Sequence, residues 1–280
     1  MEEARHLVHA VAVEDGAVVE ATGDASLVTF FRSSAKPLQA LPVVRARPDL
    51  DDAEIAISCA SHLARPEQLA PVRSLLAKAP AAEEELECGV EPTPLEHNCS
   101  GKHAAMLALC RAQGWTSEGY RLPQHPCQQS MLAEVAAAAD VDPEAIPTGV
   151  DGCGVVTFGL SLERMASAFS RLERLEGGDR VARAMRAYPD LIRGPSAADT
   201  VLMRALPGWI AKGGAEGLLC AASPAGLGVA LKVEDGATRA VRSASAAFLA
   251  RLGVDGGPSL GTSVPLTNSL GEVVGEIVAE

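Results

Sequence analysis

The chain has 280 residues, 48% apolar and 21% charged, with 36 acidic against 24 basic side chains for a formal charge of −12. That composition supplies one enzyme-sized core, and the excess of acid repels nucleic acid and anionic membrane surfaces alike. The first five residues lack the basic region and apolar core of a secretory signal, and no later run reaches the ~18 apolar residues of a membrane span.

The expectation is a cytoplasmic protein acting on a small molecule, with residues 1–280 forming one domain. Seven cysteines, at positions 59, 88, 99, 110, 127, 153 and 220, are an odd number without regular spacing, so most are expected to be buried thiols rather than a disulfide framework.

Residues 7–13 and 17–20 flank Asp15-Gly16 and predict a hairpin. The stretch 30–39 then sets Ser33 three residues before Lys36. If that segment is helical the two share a face, and a lysine so placed can take the hydroxyl proton and make the serine a nucleophile. Alone, S-x-x-K is a common pattern. Helices are predicted over 37–44, 66–77, 101–112, 127–139, 160–175 and 178–187.

Between the first two of these, Ile57-Ser58-Cys59-Ala60-Ser61-His62 reads as hydroxyls and small residues after an apolar strand. Ser61, or Ser58, suits a proton shuttle or a contact to substrate, although turn hydrogen bonds would explain both, and His62 fits a structural histidine. The acidic, proline-containing stretch 81–96 reads as an exposed connection.

His97-Asn98-Cys99-Ser100-Gly101-Lys102-His103 gathers reactive side chains at a predicted helix start, where backbone N–H groups favour a carboxylate or activate a thiol. The phosphate-loop spacing is absent. Gly149-Val150-Asp151-Gly152-Cys153-Gly154 is glycine-rich enough to hold Asp151 and Cys153 on a site wall, or to be a tight turn around a buried thiol. Cys99 and Cys153 together would suit zinc, yet neither C-x-x-C nor paired histidines accompany them.

Residues 225–233 and 271–279 predict strands. Ahead of the first, Ala211-Lys212-Gly213-Gly214-Ala215-Glu216-Gly217 is loosely similar to the K-T-G element that accompanies S-x-x-K in penicillin-recognising enzymes, and Glu216 could bind an α-amino group. Strands near both ends with helices between them imply an α+β fold. Its expected plan is a mainly antiparallel sheet built from both chain ends with a helical region inserted, as in serine β-lactamases.

Taken in order, the blocks at 32–39, 59–62, 97–103, 149–154 and 211–217 resemble the rhizobial-type, asparaginase II-like L-asparaginase family. The resemblance implies a β-lactamase-like fold, hydrolysis of asparagine to aspartate and ammonia, and a homodimer. It implies two Ser-Lys pairs, Ser33 with Lys36 and Ser61 with Lys212, and places Arg32 and Asp151 near substrate. It also implies a zinc site with ligands Cys99, Lys102 and Cys153, where the lysine would have to bind as the neutral amine.

In that scheme Lys36 deprotonates Ser33, Ser61 and Lys212 relay protons, Asp151 or Glu216 holds the α-ammonium, and zinc aids affinity or architecture rather than activating water. The chain departs from the family pattern in its short lead before the hairpin and in the loop 193–199. A glutaminase or β-lactam-acting enzyme of the same fold, and a non-catalytic small-molecule or metal-binding protein, are the competing readings.

Overall fold

A computed structural model describes residues 1–280. In chain order its elements are β1 (Val8–Glu14), β2 (Ala17–Thr22), β3 (Val28–Phe30), α1 (Lys36–Gln39), α2 (Leu41–Ala46), α3 (Asp52–Ser58), α4 (Pro66–Lys78), α5 (Ser100–Gln113) and α6 (Pro126–Ala139). There follow β4 (Thr148–Val150), β5 (Val156–Ser161), α7 (Leu162–Arg171), α8 (Gly178–Ala187), α9 (Pro189–Ile192) and α10 (Ala198–Ala205). The chain closes with β6 (Ile210–Gly214), β7 (Leu218–Ala222), β8 (Gly228–Val233), α11 (Val241–Arg251), β9 (Ser263–Thr267) and β10 (Val273–Val278).

The fold is α+β with antiparallel sheets, as the sequence implies. The main sheet runs β2-β1-β8-β7-β6, every neighbour antiparallel. β7 and β8 are buried at every position, because α7 covers one face and other elements close the opposite one. Double coverage explains why Leu218 to Ala222 carries an unbroken apolar run instead of alternating with polar residues.

Close approach of helix and sheet depends on Gly228, where a Cβ would sit 2.0 Å from the Ala166 carbonyl oxygen of α7. A smaller sheet, β3-β5-β4, carries the segments that lead into Ser33 and out of Asp151.

The C-terminal strand does not join the main sheet. β10 pairs only with β9, with Val273, Val274 and Val278 exposed, so its residues offer no continuous apolar face for the core to cover. The sheet is therefore built from the N-terminal hairpin and from residues 210–233.

The apolar run before Ser58 is also not a strand but α3. Its start is locked by a reciprocal cap in which Asp51 Oδ1 accepts from the Glu54 N–H at 2.9 Å and Glu54 Oε2 accepts from the Asp51 N–H at 2.8 Å. The Glu54 carboxylate, almost fully buried, also takes Ser74 Oγ at 2.6 Å and Lys78 Nζ at 2.7 Å from α4. This network outweighs the strand preference of Ile55 and Ile57. The predicted helix over 160–175 begins only at Leu162, since Leu160 and Ser161 pair with β3.

Candidate active site

Ser33 lies in a 3-10 turn, Arg32–Ala35, that runs straight into α1. Ser33 and Lys36 are therefore about one turn apart on a continuous helical segment. The turn is forced by Arg32, whose φ of 50° is left-handed and whose N–H donates to Thr157 Oγ1 at 3.0 Å on β5. On the other side Ser34 Oγ donates to the Lys212 carbonyl at 2.8 Å, which ties the turn to β6.

Lys36 is fully buried, and its ammonium donates to the Ala60 carbonyl, to Ser61 Oγ at 3.0 Å and to Cys99 Sγ at 3.2 Å. All three N–H directions are therefore used, and none reaches Ser33. Ser33 is half-buried, and its Oγ makes no hydrogen bond within the protein. The Ser-Lys contact in this geometry thus joins the serine of one expected pair to the lysine of the other. Ser61 is held where Lys36 enters, since its N–H donates to the Ile192 carbonyl at 2.7 Å. Ser58 is excluded as a partner: its hydroxyl donates to Ile55 O at 2.6 Å in the last turn of α3.

Lys212 stands on β6 opposite Cys220 and is also fully buried. Its Nζ donates to the Gly213 carbonyl at 2.6 Å and faces Asp199 Oδ2 at 3.7 Å. Burial pushes its ammonium down to about 7, with Asp199 opposing and Lys36 and Arg193 adding to the fall. A lysine in this state loses its proton near neutral pH, which suits a general base.

Cys99 caps α5, Lys102 lies one turn in, and a fold of the loop between β4 and β5 brings up Cys153. Lys102 Nζ donates to Cys153 Sγ at 3.3 Å, and all three side chains are buried. The neighbouring Cys99 thiol, then the Lys102 ammonium, hold the Cys153 thiol well below its usual range, while Cys99, which donates to Asn98 Oδ1 at 2.9 Å, is held above its own. Burial opposes the charge on Lys102, but Cys153, Cys99 and Asp151 outweigh it and keep the amine protonated. No cluster of three or more His, Cys, Asp or Glu side chains forms, so a metal here would depend on the lysine. Two thiols and an amine, buried and convergent, are a soft donor set that fits zinc.

At the rim Arg32 Nε pairs with Asp151 Oδ1 at 2.8 Å. Asp151 is fixed by its own loop, its N–H donating to Val155 O and its carbonyl accepting from Gly154 N, each at 2.8 Å. Glu216 is not brought to this cluster. It sits exposed on the β6–β7 turn with a φ of 61°, its carboxylate beside Gly236 and Lys232.

His62 shares a 2.8 Å hydrogen bond with Ser100 Oγ, and burial pushes its imidazole down to about 4, which leaves it neutral and structural. A surface depression of about 630 Å³ between Glu87, Thr116 and Arg121 contains none of these residues.

Two residues that sequence reasoning passed over complete the surroundings. Asp199 is a buried carboxylate in the first turn of α10, and only its acidity at a helix start could have drawn notice. Gln68, fully buried, accepts from Leu63 N at 2.9 Å and Arg65 N at 3.2 Å. It donates to Asp190 O and Arg193 O, each at 3.0 Å, so one amide binds the segment after Ser61 to the segment before α10. All seven cysteines are buried free thiols.

No helix is long and apolar enough to cross a membrane. The family model described as L-asparaginase II matches residues 1–279. No curated protein matches the chain.

Proposed function

The chain belongs to the L-asparaginase II family and is an L-asparaginase-type amidohydrolase of a small-molecule substrate, and from that membership we propose a double Ser-Lys mechanism. In this reading the whole of 1–280 is one catalytic domain that hydrolyses the side-chain amide of L-asparagine to L-aspartate and ammonia. The observation that carries it is the fully buried Lys36 donating to Ser61 Oγ at 3.0 Å, one turn from the Ser33 hydroxyl that no protein group occupies, with a second fully buried lysine, Lys212, near enough to feel the charge of Lys36.

Ser33 is the attacking group, being half-exposed and free of internal hydrogen bonds. For the attack Lys36 stands as the neutral amine, its own proton handed through Ser61 toward Lys212, the lysine that burial brings close to neutral, and it then takes the proton of Ser33, one turn before it in the chain. The Ser33 oxygen bonds to the amide carbon, the C–N bond breaks, and ammonia leaves with a proton returned along the same relay. Water then cleaves the acyl-enzyme and frees aspartate. Arg32 and Asp151, already paired across the rim, would part to receive the substrate's α-carboxylate and α-ammonium.

Zinc is part of the proposal, held by Cys99, Lys102 and Cys153. These residues would hold the ion, which would supply a fixed positive charge beside Lys36 and favour both thiols as thiolates. Lys102 must give up its proton to ligate, so zinc affinity should weaken about tenfold for each proton displaced per unit fall in pH. Competition against a chromogenic chelator between pH 6 and 8 measures this, and pH-independent binding would remove Lys102 from the ligand set. A homodimer is carried by the family alone.

The test of the activity is ammonia release from asparagine and from glutamine. Asparagine should be favoured by about tenfold or more, the usual worth of one methylene in a fitted pocket. The rate should rise with pH about a midpoint near 7 as Lys212 loses its proton. Preference for glutamine would give the glutaminase reading, and ligand binding without ammonia from either amide would give the non-catalytic one.

A further inference from the structure

Beside the lysines lies one buried carboxylate that the mechanism above does not use. Asp199 is 1% exposed, which is far beyond what an acidic residue in the first turn of a helix needs in order to meet the helix dipole. Its Oδ1 accepts from the Thr200 N–H at 2.9 Å, and its Oδ2 accepts from the Gly213 N–H at 2.9 Å. The same Oδ2 stands 3.7 Å from Lys212 Nζ. Gly213 follows Lys212 on β6, so carboxylate and lysine are held at a set spacing by the strand itself. A Cβ at Gly213 would approach Oδ2 to 3.2 Å, and the absence of a side chain there keeps the carboxylate close.

We propose that Asp199 is a positioning residue for Lys212, fixing β6 through the Gly213 N–H and setting, by its charge, the pH at which Lys212 can act as a base. The inference rests on the reading of Lys212 as a proton-transfer group.

Six groups from the surrounding elements face Lys212: Asp199 of α10, Lys36 of α1, Arg193 before α10, Cys99 at the start of α5, Cys59 after α3 and Cys220 of β7. The two cations drive the proton off. Burial holds the Cys59 and Cys220 thiols above their usual range, so these two stay neutral, while Cys99 belongs to the proposed zinc site, where the metal would balance its thiolate charge. Asp199, 3.7 Å from Lys212 Nζ, is the carboxylate among them that retains the proton. Without it, burial, Lys36 and Arg193 would lower Lys212 further. Such a lysine is a weak base, because proton affinity falls along with the pKa.

The experiment is the pH–rate profile of ammonia release from asparagine for the parent and for Asp199→Asn, with thermal melting to establish folding. The acidic limb in Asp199→Asn should move to lower pH by about one unit or more, since an opposite charge within ~4–6 Å shifts a lysine by about one to three units. A merely structural role would lower the height of the profile and the melting temperature and leave the limb in place, and that outcome overturns the inference.

Should the asparagine variant fail to fold, Asp199→Ser keeps a hydroxyl near Thr200 in a smaller volume and must show the same shift. Lys212→Ala separates the two levels. A folded Lys212→Ala enzyme that releases ammonia at the parent rate defeats the reading of the site. An inactive Lys212→Ala combined with an unmoved limb in Asp199→Asn defeats only the role given to Asp199.

Discussion

Replacing Ser33 with alanine is expected to lower ammonia release from asparagine by about a thousandfold or more while leaving the melting temperature within about 2 °C of the parent. The two halves of this expectation have different origins. The loss of rate follows because a nucleophile has no substitute in an acyl-enzyme mechanism, and what remains comes from binding and electrostatics alone. The unchanged stability follows because Ser33 Oγ makes no hydrogen bond in the protein and the residue is only half-buried, so nothing is left unsatisfied when it goes.

Ser61→Ala should behave differently. It removes an acceptor from the buried Lys36 ammonium and should lower both stability and rate. A folded Ser33→Ala protein that keeps its rate within tenfold of the parent would transfer the nucleophile's role to Ser61.

Substituting alanine for Gly228 is expected to cost about 3 kcal/mol or more of folding free energy. The added Cβ would lie 2.0 Å from Ala166 O and 2.7 Å from Ser170 N, and both are backbone atoms of α7 that no rotamer change can move aside. Neither element can retreat cheaply: β8 is paired on both sides, with Gly228 opposite Val13 and Ala222. Gly16→Ala is the control. Nothing lies within 4 Å of its added Cβ, so the only penalty is a φ of 81°, worth about 1 kcal/mol. Urea unfolding of the two variants measures the difference, and a Gly228→Ala cost no larger than that of Gly16→Ala would mean that α7 and the sheet separate more easily than their packing implies.

Most residues of the candidate site were legible in the sequence because each sits in a local composition that packing does not ask for. Lys36, Ser61, Cys99, Lys102, Cys153, Arg32 and Asp151 stand in polar or glycine-rich blocks, and the fold brings them to one place. Their partners were less legible. Which serine Lys36 meets depends on where α3 ends and on the Ile192 carbonyl that holds Ser61, contacts between segments more than a hundred residues apart. Asp199 marked only the end of a divergent loop, since an aspartate at a helix start is ordinary until burial and a lysine opposite give it a task.

α3 was misread for a related reason. Ile55, Ala56 and Ile57 look like a strand, and the cap that makes them a helix draws its strength from Ser74 and Lys78 on the next element. Glu216 lies only four positions past Lys212, but the left-handed turn points it toward Gly236. The C-terminal strand was found and its partner was not, because strand character says nothing of which edge a strand will take.

The bracket formed by Gln68 carries a liability peculiar to a protein of this chemistry. Its side chain works because one end accepts from Leu63 and Arg65 while the other donates to Asp190 and Arg193. Loss of ammonia from that amide would change almost nothing in shape, yet it would turn the donating end into a carboxylate oxygen pressed against backbone carbonyls. An amidohydrolase therefore depends for its own integrity on an amide that must never age. Complete enclosure of Gln68 keeps water and its own kind of reaction away from the one bond whose hydrolysis would loosen both walls at Ser61.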